Sequence, residues 1–341
     1  MPVVSMTSRR LASCATTLGN TGNGLSSTSP IRGNQPPYYI ADGNPPLSYN
    51  GGQVMNGAGA VVVTPIYWAP TGFSIPASYE MLTTRFVNDV AAAGGSSTNV
   101  FSILTQYQTS GSLETSYDIT AGAALTDTTT YPTTGGCTKD AGAVYPDGSG
   151  YSTCITNAQI QTELTTFLSN LHLTSDVHHL YIVLLPEGVE TCINNANGAA
   201  SGSCSPNAAD FNASFCGYHS YGTGPSSAQV YAVLPYAVTG GALGPACSSQ
   251  DAPYADTSLV GAQTPNGNID ADSEISVMSH EMSEAITDPY LTAWKDASRY
   301  EVGDECAYIY GDSLSLQGAP GAQYNQTING DHYFIQEEFS N

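Results

Sequence analysis

A chain of 341 residues can bury one large core or two small ones. Its 7 Lys and Arg stand against 29 Asp and Glu, a formal charge of −22, which argues against nucleic acid and against anionic membrane surfaces as partners. There is no run of 18 apolar residues, so no transmembrane helix is expected. Charged residues make up only 11% of the chain, while Gly, Ser, Thr, Asn and Tyr are plentiful, a composition that suits a secreted microbial protein.

Residues 1–50 are rich in Ser, Thr, Asn, Gly and Pro without periodicity, and read as a flexible leader or stalk. Arg9-Arg10 followed by Leu11-Ala12-Ser13-Cys14 has the outline of a lipoprotein cleavage site. It lacks the apolar segment such a signal needs, and is read as chance or as the remnant of a leader. A single domain is expected over residues 51–341. Residues 58–68 form an apolar, β-branched run, hence a strand, in which Pro65 should sit at an edge or bulge because it has no N–H for a ladder. Ser78 is placed to cap a helix with a stripe of Leu82, Phe86, Val87 and Val90, ended by Gly94-Gly95.

Residues 100–107 fit neither period, and residues 108–155 read mostly as polar loop. Asn157 opens the clearest helix, with Ile160, Leu164, Phe167, Leu168 and Leu171 on one face. Residues 177–185 are almost continuously apolar, the mark of a strand covered on both faces. A glycine- and asparagine-rich loop, 187–212, precedes two further strands at 215–221 and 229–238. A last strand is expected around Tyr333-Phe334-Ile335. This order gives an α/β fold class: a mixed-strand sheet packed with helices, zincin-like, with long disulfide-tied loops. Eight cysteines are many for a reducing compartment. Cys137 with Cys154 is one expected pair, and two bridges are expected among Cys192, Cys204, Cys216 and Cys247.

The richest chemistry lies between residues 270 and 289. Acidic residues at 270–274 suit the positive end of a helix, and Asp288-Pro289 marks its stop. Ile275, Met278, Met282 and Ala285 then share one face, while His280 and Glu284 lie one turn apart on the other with Glu281 beside them. That front resembles the His-Glu-x-x-His helix of zinc peptidases, with Glu284 in place of the second histidine. The plain alternative is a solvated acidic helix face. In the peptidase pattern His280 and Glu284 are ligands of one zinc ion and Glu281 is the general base. Glu301, 17 positions after Glu284, fits the third ligand. Asp304 either orients His280 or is itself the third ligand. His219 or His332 could orient the tetrahedral intermediate, and a histidine in the cluster favours zinc over calcium.

Tyr67-Trp68, Cys216-Gly217-Tyr218-His219, Leu234-Pro235-Tyr236, Ser279-His280-Glu281, Thr287-Asp288-Pro289, Ala293-Trp294, Glu301-Val302-Gly303-Asp304 with Cys306, and Asn329-Gly330 occur in an order that resembles the phosphate-induced protein 1 family. Its plant members are called Exordium. The resemblance runs from about Tyr49 to the C-terminus and implies a secreted, extracellular protein; the plant members are linked to growth and cell expansion without an assigned chemistry. Plant members continue past the final strand to another cysteine, which by that resemblance leaves Cys306 without its family partner. Three functions are therefore expected, in descending order. The first is a secreted zinc-dependent hydrolase, a metallopeptidase acting on a peptide or protein substrate. The second is a non-catalytic extracellular protein with a structural metal. The third is a binding module for cell-wall polysaccharide, in keeping with 22 tyrosines and 2 tryptophans.

Overall fold

Val61–Trp68, the first long β-branched run, is the strand on which the sheet is laid down. The computed structural model describes residues 13–15, 46–55, 59–109, 117–140, 149–193, 204–205, 215–224, 227–237, 247, 264–307, 309–310, 314–315 and 323–341. On one side, Val61–Trp68 pairs in parallel with His179–Leu184; that strand pairs in parallel with Ala228–Leu234, which carries Tyr218–Thr223 antiparallel at the edge. On its other side lie two short parallel strands, Ile119–Ala121 and Leu125–Asp127. The sheet is therefore mixed, as the sequence predicts.

Alternation along these strands fills two layers. Val63, Leu180, Ile182, Val230 and Leu234 face the first, and Ile66, Trp68, Tyr181, Val183 and Tyr231 face the second. Helix α1 (Ala77–Ala92) and helix α3 (Ile269–Thr287) cover the first layer, through Phe86, Val87 and Val90 and through Ile275, Met278, Met282 and Ala285. Helix α2 (Asn157–Asn170) covers the second with Ile160, Leu164 and Leu168. Burying one such side chain stabilises the fold by about 1.5–3 kcal/mol, so the apolar back of α3 is fixed against the sheet.

Local chemistry corrects several expectations. Pro65 lies inside the sheet rather than at its edge, at a bulge-like irregularity: between Val63 opposite Ala121 and Ile66 opposite Leu125, residues 64–65 face residues 122–124. Val61 donates to Asp118 and Val63 accepts from Gly122, so the alternate residues 61, 63 and 65 address the side of the two short strands. Pro65 falls at the break between Ala121 and Leu125, where no ladder bond is lost. Ser78 is not the cap of α1; Pro76 is, without a side-chain bond. Thr156 caps α2 in a reciprocal capping box with Gln159. Residues 100–106 form a 3-10 helix started by the Asn99 side chain. The predicted loops contain strands of their own, Thr153–Thr156 pairing in parallel with Val189–Cys192.

Four disulfides join Cys14–Cys306, Cys137–Cys154, Cys192–Cys204 and Cys216–Cys247. Cys306 thus finds its partner in Cys14, within the expected leader. The described parts of that leader lie on the domain: Ser13–Ala15 pairs with Glu338–Ser340, and Ser48–Tyr49 with Trp294–Lys295. The rest of residues 1–45 lies outside the described residues. Among the described residues no helix is long and apolar enough to cross a membrane.

Glu274 shows how firmly α3 is seated. Its Oε2 accepts from Tyr79 Oη on α1 at 2.6 Å and from Ala237 N at 2.8 Å, while its buried Oε1 has no hydrogen-bond partner. Burial pushes its pKa up to about 8, against the hydrogen bonds from Tyr79 and Ala237. An acid whose folded pKa is raised contributes full stability below its unfolded value near 4.5 and loses it as pH rises toward 8. At pH 7 that loss is on the order of 3 kcal/mol. Glu274→Gln keeps an acceptor for both donors and should raise the thermal midpoint more at pH 8 than at pH 5. Equal shifts at the two pH values, measured by calorimetry, would contradict this assignment.

Candidate metal centre

Side chains fix both ends of α3, Asn268 as its N-terminal cap and Asp288 by tying the C-terminal residue to the turn that follows, which sets where its polar front points. Asn268 Oδ1 accepts from Ala271 N at 3.1 Å, and Asp270 and Asp272 sit in the first turn. At the other end Asp288 Oδ1 accepts from Thr292 N and Ala293 N at 2.5 and 2.6 Å, and Lys295 Nζ lies 3.5 Å from Oδ2. Between these ends Glu281 and Glu284 are 3% and 5% exposed, so the front of α3 is not a solvated face.

The sheet edge and one later loop close over it. His219, on the edge strand, places Nδ1 3.7 Å from Glu281 Oε2 and 3.6 Å from Glu284 Oε2, and Nε2 3.7 Å from Glu301 Oε1. Its Nε2 also lies 3.2 Å from the Asp288 carbonyl. His280 Nε2 meets Glu284 Oε1 at 3.1 Å and lies 3.8 Å from Asp304 Oδ1. Asp304 N donates to Glu284 Oε1 at 3.0 Å, and Glu301 N donates to Asp304 Oδ2 at 3.1 Å. Six of the seven residues singled out from sequence therefore meet in one cluster. His332 does not join it; that ring bonds Thr327 and stacks on Tyr324 in the hairpin of Gln326–Ile328 and Asp331–Tyr333.

Two glycines permit this approach. A Cβ on Gly303 would stand 2.7 Å from His280 Nδ1, and one on Gly217 would stand 2.9 Å from Glu281 Oε1. Sequence reasoning missed Gln336. Its Nε2 donates to the Gly303 carbonyl at 3.0 Å, which orients the amide so that the same nitrogen donates to His280 Nδ1 at 2.9 Å. In the neutral ring the proton of His280 is then on Nε2, directed at Glu284. A zinc-binding histidine normally offers one nitrogen to the ion and donates from the other. His280 is arranged otherwise, whereas His219 can donate from Nε2 to the Asp288 carbonyl and leave Nδ1 free toward Glu281 and Glu284. Glu338, also unmarked by any motif, is wholly buried, and both its carboxylate oxygens lack a hydrogen-bond partner.

Charge dominates the site. Burial disfavours the charged form of every member. For His219 it is outweighed by Glu301, Glu281 and Glu284, which raise its pKa well above the ordinary imidazole value. His280 is raised in the same way by Glu284, Glu281 and Asp304, against burial. Glu284 is held well below the carboxylate range because His280 and His219 overcome its burial. Burial wins for Glu281 and Glu301, which are raised, and for Asp304, which is pushed up to about 7. The donor atoms of His219, Glu284 and Glu301 all lie within 4.8 Å of one another, as do those of His280, Glu281 and Glu284.

Residues 204–338 match the family model described as the phosphate-induced protein 1 conserved region. The chain is 33% identical over 144 residues to Protein EXORDIUM-like 3 of Arabidopsis thaliana, covering 37% of this chain and 41% of that one. It is 34% identical over 144 residues to Protein EXORDIUM-like 5 of the same plant, covering 37% and 39%. The chain thus spans about two fifths of the length of the curated relatives it matches. No solved structure matches it. The matched region holds both histidines, the acids around them and the two glycines that let them meet, so it is over residues 204–338 that the chain is similar to the phosphate-induced protein 1 conserved region.

Proposed function

We propose that His219, Glu284 and Glu301 hold one divalent transition-metal ion, zinc by the nature of its ligands, in a secreted Exordium-like protein. One observation carries this reading. Glu281 Oε2 and Glu301 Oε1 are buried without a hydrogen-bond donor and face the same His219 ring. Two buried carboxylates that share one imidazole, each at 3.7 Å, are poorly compensated. With all four carboxyl groups of Glu281, Glu284, Glu301 and Asp304 ionised, as ligation favours, two imidazoles leave the cluster short of positive charge, and a dication supplies it. Tetrahedral bonds of about 2.0 Å place donors about 3.3 Å apart, so the 3.6 Å between His219 Nδ1 and Glu284 Oε2 needs to close by only a few tenths. Such an ion fastens the edge strand, α3 and the loop at Glu301 to one another. With three ligands no more than 7% exposed, a structural role ranks first.

A zinc-dependent hydrolase acting on peptide or protein is the second reading, favoured by the unpartnered Glu281 Oε2 and its raised pKa. Bound zinc would supply an acidified water, Glu281 would hold a proton at Oε2, and substrate would approach past His280 and Asp304, whose side chains are 16% and 36% exposed. Glu281→Gln separates the two. The structural role predicts no cleavage of a peptide library by the parent and little change in metal content in the variant. Cleavage that falls by about 10²–10⁴-fold in the variant, with stability and metal retained, would overturn the structural ranking and establish the enzyme.

A further inference from the structure

We propose that an open groove around the edge of the sheet left unpaired among the described residues binds a neutral polysaccharide chain. The groove has a volume of about 910 Å³, inside the range of roughly 300–1,000 Å³ common for ligand sites. It runs from α2, past the edge strand Tyr218–Thr223, to Tyr290 beyond the end of α3. It is separate from the carboxylate cluster, although His219 and Tyr221 lie on the same strand.

The lining selects the ligand class. In a chain of net charge −22, the described residues that line the groove include no Asp, Glu, Lys, Arg or His. An anionic polymer would find no cation there and would be repelled by the rest of the molecule. Thr162 and Thr166, one helical turn apart on α2, are exposed and spend their hydroxyl protons on the carbonyls of Ala158 and Thr162, at 2.8 and 2.9 Å. Their oxygens remain as acceptors for ligand hydroxyls. Tyr221 is 45% exposed, and its ring is held by an edge-to-face contact with Tyr290 at 5.4 Å between centroids. A fixed, exposed ring beside a row of acceptors offers an apolar plate for the C–H face of a sugar and partners for its rim.

A peptide added as an extra strand fits less well. Tyr221 O already accepts from Gln161 Nε2 at 3.3 Å, and Thr165 Oγ1 stands 3.3 Å from Thr223 O, so α2 side chains crowd the edge carbonyls that such a strand would use.

The test is native gel electrophoresis of the full chain through gels containing laminarin, hydroxyethylcellulose, soluble starch or galactomannan. Retardation by at least one of the four is expected, persisting at 0.5 M NaCl because no charge is involved. Tyr221→Ala should weaken it at least fivefold, whereas Tyr221→Phe, which keeps the ring, should retain it. Thermal midpoints of both variants within a few degrees of the parent show that the fold is intact. Thr166→Arg, which fills the groove from the exposed face of α2, should also abolish retardation and serves if Tyr221→Ala fails to fold. No retardation in any of the four gels, or retardation that survives both Tyr221→Ala and Thr166→Arg, would overturn the proposal.

Discussion

Glu284→Gln is expected to be among the most damaging single substitutions in the chain. Glu284 Oε1 receives His280 Nε2 and Asp304 N, and Oε2 faces His219 Nδ1, so one carboxylate joins three elements. An amide in its place removes the one acid that both imidazoles hold ionised and leaves a neutral oxygen as a much weaker metal ligand. Breaking a buried ion pair by changing one partner costs about 3–5 kcal/mol, and loss of a bound ion would add to that. Calorimetry should show a fall in thermal midpoint of several degrees, with a smaller fall for Asp304→Asn, whose side chain is 36% exposed. A Glu284→Gln protein as stable as the parent would contradict the account of the cluster given above.

The second large effect is expected from the pair Cys14→Ser and Cys306→Ser made together. Their disulfide spans 292 positions, against 17 for Cys137–Cys154. A cross-link stabilises chiefly by restricting the unfolded chain, and removing a native one typically costs about 2–5 kcal/mol, more for longer loops. The native structure adds a local reason. Cys306 ends the 3-10 turn Asp304–Cys306, and Phe339 N donates to Val302 O at 3.0 Å, so the bridge braces the loop that presents Glu301. The double variant should unfold at lower denaturant than the corresponding Cys137/Cys154 double variant. The reverse order would show that the short loop, rather than the long one, limits stability.

The central sheet was legible because its strands carry their own signal. The apolar runs at Val61–Trp68, His179–Leu184 and Ala228–Leu234 have neighbours on both faces, and α2 and α3 show a 3.6-residue stripe. The short strands Ile119–Ala121 and Leu125–Asp127 were not, because three residues are too few for any period to declare itself. Pro65 pointed to an edge or a bulge without saying which, because that depends on what sits opposite its missing N–H, and pairing is a tertiary fact. In the cluster, His280, Glu281 and Glu284 were readable together because four residues make one helical turn. His219 was named from the sequence only as a residue able to orient an intermediate; that it would enter among these carboxylates, from 62 positions before Glu281, is a tertiary fact, and it changes which histidine suits a metal. Gln336 carried no signal, since a lone glutamine after a strand is unremarkable until its amide is seen between Gly303 and His280. Gly217 and Gly303 were present in the recognised motifs, but the reason for each, the lack of room for a Cβ, belongs to the folded state.

The most direct measurement is the metal content of the full chain purified without chelator, by elemental analysis, together with its thermal midpoint before and after chelation. Close to one zinc per chain is expected, with a fall in midpoint on chelation that added zinc reverses, and with both properties lost in Glu284→Gln. A protein that carries no transition metal, takes up no zinc and unfolds at the same temperature with and without chelator would contradict the metal centre.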